Sequence, residues 1–270
     1  MTAFQKIIKY FAITLAVCII VGIFGGILRI AGIFSFFSGN SAVLDDVKTY
    51  SVSQDITSID IDISAADFKI TSDSVFSVES NLEYLTVEEN GRTLVIKETK
   101  KFKTNYSDAV LNIYIPDGTV FENAEITTGA GIVSIDVLSA ESLKLELGAG
   151  AVRIAELNAS SKAEISGGAG EVNISGGTLY NIDLDMGVGE LNLTAALLGE
   201  SELNYGVGEA NVVLVGTKDD YIIEIDKGLG DVTVDGSEMR DGSVYGSGDN
   251  EIDISGGVGA VKVSFKERAV

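Results

Sequence analysis

The second half of the chain repeats one pattern of polar and apolar residues. Apolar side chains alternate with polar ones, a Gly-x-Gly triplet interrupts the alternation, and the alternation then resumes. Such a period of two is typical of a β-strand with one buried face. The triplets contain Gly129 and Gly131, Gly148 and Gly150, Gly168 and Gly170, Gly187 and Gly189, Gly206 and Gly208, Gly228 and Gly230, and Gly257 and Gly259. Each repeat therefore predicts two short strands joined at a glycine turn.

The spacing of the triplets predicts a stack of coils. Successive first glycines lie 19, 20, 19 and 19 residues apart, and the last two intervals are 22 and 29 residues. A fixed period of this size is the signature of a solenoid, in which each copy buries its apolar side against the next. We therefore predict an all-β protein, a single-stranded parallel β-helix with coils of about 20 residues.

The repeats are preceded by strands with less regular spacing. Residues 58–63 alternate strictly, and Ala65-Ala66 follows them in the place of a degenerate first triplet. The ends of a stack expose unpaired strand edges, which invite aggregation unless they are covered. We expect residues 49–120 to cap one end of the stack and residues 265–268 to finish the other.

The N-terminal segment predicts a membrane span. Residues 10–28 carry no charged side chain, and about 20 such residues cross the hydrocarbon core of a bilayer. Arg29 interrupts the apolar run, which then continues to residue 37. Lys6 and Lys9 precede the span, so the positive-inside rule places the N-terminus in the cytoplasm and the body outside. We predict a single-pass cell-membrane protein that is anchored through residues 10–37.

Two other interpretations of this segment compete with a retained anchor. A cleaved signal peptide has a shorter apolar region, about 7–15 residues, and ends at small residues, whereas this run is longer and no Ala-x-Ala site follows it. Residues 15–18 (LAVC) resemble a lipobox, but Val17 is larger than that motif requires and the sequence stays uncharged after Cys18. A retained anchor is therefore favoured. The predicted domains are a membrane anchor at 1–40, a linker at 41–48 and a β-solenoid at 49–270, divided into a cap region at 49–120 and Gly-x-Gly repeats at 121–270.

Charge and composition exclude several classes of function. The chain has 19 Lys and Arg against 40 Asp and Glu, a net charge of −21. None of the acids lies in the first 44 residues, so the body is strongly acidic. Such a body repels nucleic acid, which we exclude as a partner. The chain has no His and a single Cys, which removes the commonest general acid–base, the commonest zinc ligand and any intrachain disulfide.

Acidic residues form columns in the predicted stack. Glu171, Glu190, Glu209 and Asp231 each follow the second glycine of a triplet. Stacking would place these like charges one strand spacing apart, which is unfavourable. Calcium prefers such oxygen ligands, so weak calcium binding at these four residues is one hypothesis, and a hydrated acidic face that blocks edge-to-edge association is the other. No other cofactor is predicted.

The same columns weigh against catalysis. Glycoside hydrolysis requires two carboxylates in different environments across one bond. Here the acids recur at equivalent positions and therefore reflect the repeat rather than one site. We assign no catalytic residue and predict that the protein is not an enzyme, with a polysaccharide-active enzyme as a distant alternative.

The glycine-punctuated strands, together with residues 111–116 (LNIYIP) leading into them, resemble a bacterial family of adhesin-like proteins with β-strand repeats. The resemblance covers about residues 50–265. It implies an extracytoplasmic β-solenoid of unknown function and offers no catalytic residues to transfer. We expect a non-catalytic surface module for binding or adhesion, with a protein or a cell-wall polymer as its partner. The alternative is a scaffold or sensor subunit of a bacterial envelope-stress response, which the short linker after the predicted span favours.

Overall fold

The computed structural model of the chain describes residues 46–99 and 108–267. Their strands join in a 15-stranded sheet that contains parallel and antiparallel pairs. In chain order the strands are β1 Lys48–Ser51, β2 Ser58–Asp73, β3 Ser77–Ser80, β4 Leu85–Asn90, β5 Thr93–Glu98, β6 Val110–Pro116, β7 Phe121–Ile174, β8 Gly177–Tyr180, β9 Ile182–Leu198, β10 Glu200–Val215, β11 Tyr221–Lys227, β12 Asp231–Val234, β13 Ser237–Glu238, β14 Ser243–Gly246 and β15 Asn250–Lys266. A short 3₁₀ turn, Lys218–Asp220, lies between β10 and β11.

The repeats stack in parallel and in register. Ile165 of β7 pairs with Leu184 of β9, which pairs with Leu203 of β10, and all three side chains are buried. Equivalent positions of successive repeats therefore share one column of the interior. Burying a side chain of this size contributes about 1.5–3 kcal/mol, so each coil is stabilised mainly by the coils on either side of it. The prediction of an all-β solenoid is confirmed.

Each coil presents its outward side chains on defined faces. We call face A the outer side of the strand before the glycine triplet and face B the outer side of the strand after it. A third, short run of parallel pairing joins Leu157–Ala159, β8 and Ala196–Leu198 in the middle coils. The sequence pattern predicts two strands per repeat, and this third segment is an addition to it.

The first coil lacks glycines at its turn, as the sequence pattern predicts. Ala65 pairs with Ala130, and Ala66 pairs with Gly131. The degenerate first triplet therefore occupies the same column as the others. β5 and β6 continue the stack in parallel on the other side of β2, and β4 and β3 cover those strands in antiparallel fashion.

The other end of the stack departs from chain order. β15 pairs with β10 on one side and with β11 and β12 on the other. The last repeat in the sequence is therefore the penultimate coil, and β11 with β12 forms the final one. The expectation that residues 265–268 finish the stack is wrong, because Phe265 pairs with Leu214 inside it. The free edges of β11 and β12 are instead covered by the antiparallel strands β14 and β13, which are short and so limit edge-to-edge association.

The predicted membrane anchor, residues 10–37, lies outside the described residues. Within residues 46–99 and 108–267, no helix has the length and apolar character needed to cross a membrane. All described residues belong to one compact unit, Ala42–Val270.

Candidate functional site

The predicted turn glycines lie where successive coils approach most closely. At the second glycine of a triplet the backbone is usually left-handed, as at Gly189 with φ of 143°. A Cβ atom at Gly189 would overlap the carbonyl oxygen of Gly170 in the neighbouring coil, and one at Gly187 would overlap that of Gly168. The glycines are therefore required for backbone shape and for stacking, and they offer no side chains for chemistry.

The predicted calcium ladder on face B is continuous for three of its four members. Glu171 pairs with Glu190, and Glu190 pairs with Glu209. The next position belongs to Ala260 of β15, and Asp231 follows only beyond it. The strand order therefore separates Asp231 from the other three carboxylates by one coil.

The three contiguous carboxylates already have hydrogen-bond donors. Asn173 Nδ2 donates to Glu171 Oε1 at 2.6 Å, and Asn192 Nδ2 donates to Glu190 Oε1 at 2.9 Å. Glu209 Oε1 lies 2.5 Å from Lys262 Nζ. A hydrogen bond and the charge of Lys262 hold the pKa of Glu209 below its usual range. Amides and a lysine thus offset the repulsion for which calcium was invoked.

The asparagines of face B also bond to one another along the stack. Asn192 Nδ2 donates to Asn173 Oδ1 at 2.8 Å, and Asn211 Nδ2 donates to Asn192 Oδ1 at 3.0 Å. The run of asparagines ends at Asn211, which pairs with Lys262 in the register of β10 and β15. This part of face B is a hydrogen-bonded ladder that stabilises the stack.

Face A divides into two electrostatically different halves. In the N-terminal half, Lys97 Nζ lies 2.7 Å from Asp60, Lys144 bridges Glu125 and Glu146, and Lys162 pairs with Glu164. In the C-terminal half, like charges occupy successive coils without such partners. The acids of that column, in stack order, are Asp183, Glu202, Asp253 and Glu224. No Lys or Arg among the described residues forms an ion pair with these four.

The crowding of this half of face A affects its protonation. Burial, together with the charges of Asp185 and Glu202, raises the pKa of Asp183. Farther along, the carboxylates of Glu224, Glu251 and Asp253 lie with oxygens within 4.8 Å of one another, and all three residues are exposed. Their oxygens suit a hard cation, although exposed acids also gather in this way without one.

The sequence pattern did not bring these three residues together, and Glu251 illustrates the reason. It precedes its triplet by six residues, a position at which Glu200 is the one other acid among the Gly-x-Gly repeats. Its approach to Glu224 depends on β15 lying beside β11. The longer intervals of 22 and 29 residues between the last triplets were the only signal of that strand order.

The comparisons with known proteins assign the chain to a family. A family model described as Toastrack DUF4097 matches residues 28–264. The chain belongs to the Toastrack DUF4097 family. The family assignment agrees with the resemblance drawn from the glycine-punctuated strands. Among curated proteins, none matches the sequence of this Toastrack chain.

Several solved structures are similar to the Toastrack chain. A provisionally named cell adhesion protein from Clostridium sporogenes is 16% identical, with a TM-score of 0.38, and the match covers 82% of this chain and 99% of that one. A provisionally named adhesin from Parabacteroides distasonis is 18% identical, with a TM-score of 0.41 and coverage of 80% and 96%. A third protein, also from Parabacteroides distasonis, is provisionally named as lipid-binding; it is 17% identical, with a TM-score of 0.35 and coverage of 82% and 98%. None of these three names describes an enzyme.

Proposed function

We propose that the chain is a single-pass membrane protein whose Toastrack body lies outside the cytoplasm and binds a protein or a wall polymer without catalysing a reaction. The proposed division is an anchor at 1–40, a linker at 41–48 and a body at 49–270. Support for the anchor comes from the uncharged run at 10–28 and the two lysines before it.

The observation that carries the binding role is the way the fold sorts side chains. Outward side chains at equivalent positions of successive repeats lie in one column, so polar groups recur in register along faces A and B. A repeated face offers many equivalent contacts to an extended partner. Catalysis by carboxylates would instead need two of them in environments that differ.

The location is tested with reporters fused after the C-terminal residue of the full chain. A fused alkaline phosphatase is expected to be active, and a fused green fluorescent protein exported by the same route is expected to stay dark. An N-terminal epitope tag should remain with the membrane fraction at the full mass of the fusion. Fluorescence without phosphatase activity would contradict the orientation, and loss of the tag would show that the segment is cleaved.

The binding role is tested with photo-crosslinking side chains in intact cells. The crosslinker is placed singly at Glu202 on face A, at Glu190 on face B and at Tyr180 on the third segment. We expect one discrete adduct, of protein or of wall polymer, from one face and little from the others. Equal background from all three positions, or hydrolysis of a wall-polysaccharide panel by the purified chain, would contradict a non-catalytic binding module.

A second candidate is a scaffold or sensor in an envelope-stress response. The short polar link between the predicted span and β1 favours a partner close to the membrane. Deleting the chain should then change the induction of a stress reporter by cell-wall inhibitors. The adhesion role predicts unchanged induction and reduced attachment of cells to their substrate.

A further inference from the structure

The final coils of the solenoid are assembled out of chain order. β15 lies between β10 and the pair formed by β11 and β12. Only residues 216–220 connect β10 to β11, whereas β15 begins at Asn250, well after β12 ends at Val234. β11 and β12 follow β10 in the sequence, but β15, which is synthesised later, separates them from β10 in the stack.

β11 and β12 carry the same pattern as β15. Leu203 of β10 pairs with Ile254, and Ile254 pairs with Ile225 of β11. Ala210 pairs with Val261, and Val261 pairs with Val232 of β12. A direct contact of β11 and β12 with β10 would therefore keep these apolar columns in place. It would also stack glycine on glycine at the turns, as Gly206 and Gly257 do now.

Contacts specific to the observed order hold β15 at its two ends. Asn250 Oδ1 accepts a hydrogen bond from Gly199 N at 3.1 Å, and Asn250 Nδ2 donates to Asp220 O at 2.8 Å. Asn250 thus bridges the coil before β15 and the coil after it. At the other end, Gly216 N donates to Lys266 O at 2.8 Å. The two Asn250 bonds require β15 to lie between β10 and β11, and the Gly216 bond holds its far end against β10.

We propose that the C-terminal end of the solenoid has two strand orders, and that Asn250 latches the inserted one. β11 and β12 first pack on β10, because short connections close at a lower entropic cost than long ones. β15 then inserts between them, and β13 and β14 remain on the free edges of the final coil. The stack therefore opens between β10 and β11 to admit β15 with its glycine turn.

Disulfide capture in the full chain distinguishes the two orders. Asn204, Ser255 and Asp226 occupy one outward column, in that order along the stack. Asn204 and Ser255 are adjacent, whereas Asn204 and Asp226 are two spacings apart, about 9.6 Å, which is too far for a disulfide. In the chain-order arrangement Asn204 and Asp226 become neighbours. Both pairs are made as double cysteine variants in a Cys18→Ser background and refolded from urea in detergent with timed pulses of diamide.

The matched control is a cysteine pair at Ser166 and Asn204. These residues are also two spacings apart, with Asp185 between them, and neither strand order brings them together. We expect the Asn204–Asp226 crosslink to exceed this control several-fold in early pulses and then to fall as the Asn204–Ser255 crosslink rises. Asn204–Asp226 crosslinking that never exceeds the control, or an early and constant Asn204–Ser255 crosslink, would overturn the proposal.

The latch is tested with Asn250→Ala at equilibrium. Losing a net hydrogen bond corresponds to roughly a tenfold change in a population ratio, so the Asn204–Asp226 crosslink should rise by about that factor. The control is Asn181→Ala. Asn181 precedes β9 as Asn250 begins β15, and it makes two similar bonds: its Nδ2 donates to Ser161 O at 2.9 Å and its Oδ1 accepts from Glu200 N at 3.1 Å. It lies outside the exchanging coils. An equal response to both variants, or a crosslink between positions 204 and 255 that joins two chains rather than one, would contradict the latch.

Discussion

Replacing Gly189 by alanine tests whether the turns require glycine because the backbones of neighbouring coils contact each other directly there. Gly189 pairs with Gly170 in the neighbouring coil and has φ of 143°. A Cβ atom there would overlap the Gly170 carbonyl oxygen and approach its backbone nitrogen closely. Because the atoms it meets belong to the backbone, no side-chain rotation relieves the overlap.

The cost of Gly189→Ala has two parts. A non-glycine residue in a sparsely populated backbone region costs about 1–3 kcal/mol, and overpacking against a rigid neighbour costs about 1–3 kcal/mol more. We therefore expect a loss of about 2–6 kcal/mol, a large share of the 5–15 kcal/mol by which native proteins are typically stable. For a domain of this size each kcal/mol shifts the melting temperature by about 2–4 °C.

The matched control is Gly256→Ala. This residue also lies in the repeats, but a Cβ atom there meets Val232 Cγ2 at 3.6 Å, an ordinary contact, and its φ is outside the left-handed region. Losing a glycine also restricts the unfolded chain, which favours the folded state by about 0.4–1 kcal/mol. Thermal and urea unfolding of both variants, followed by circular dichroism, gives the comparison.

The reasoning predicts that Gly189→Ala melts several degrees below the parent and that Gly256→Ala melts at or above it. Equal midpoints for the two variants would refute it. The glycine turns would then tolerate a side chain, and the close stacking of one turn on the next could not be the reason for the repeated triplet.

Three further changes follow from side chains in the stack. Tyr205→Phe should raise stability by about 1 kcal/mol, because the buried Tyr205 hydroxyl has no hydrogen-bond partner; a lower midpoint in urea would contradict this. The raised pKa of Asp183 means that its ionisation costs stability at pH values above its folded pKa, a cost that disappears as the pH falls below the unfolded value near 3.8. Asp183→Asn should therefore stabilise the chain by about 0.2–1 kcal/mol at neutral pH and have little effect in melts near pH 3. Calcium should shift the melting midpoints of the parent and of Glu190→Gln equally, since the face B carboxylates already accept hydrogen bonds; a rise that Glu190→Gln abolishes would revive the face B calcium site.

The interior of the stack could be predicted from the sequence because two local rules determine it. Alternation decides which side chains point inward, and the glycine triplets fix the register between copies. Ile165, Leu184 and Leu203 lie three residues before a triplet, and they form one buried column. Even the Ala65-Ala66 turn could be aligned, because its flanking strands keep the same alternation.

The strand order could not be predicted, and the reason is the repeat itself. β11 with β12 and β15 place equivalent apolar residues on the same columns, so the columns cannot select which segment contacts β10. The choice depends on connection lengths and on individual polar contacts such as those of Asn250. The proximity of Glu251 to Glu224 was unpredictable for the same reason.

Electrostatics provides one reason for the observed order. In chain order Asp231 would stand directly beside Glu209 and extend the row of like charges on face B. With β15 inserted, Ala260 takes that place and Lys262 reaches Glu209. On face A the insertion brings no such relief, because Asp253 enters between Glu202 and Glu224. Face B therefore favours the inserted order, whereas on face A the same step adds a carboxylate to the half whose acids have no ion-paired lysine among the described residues.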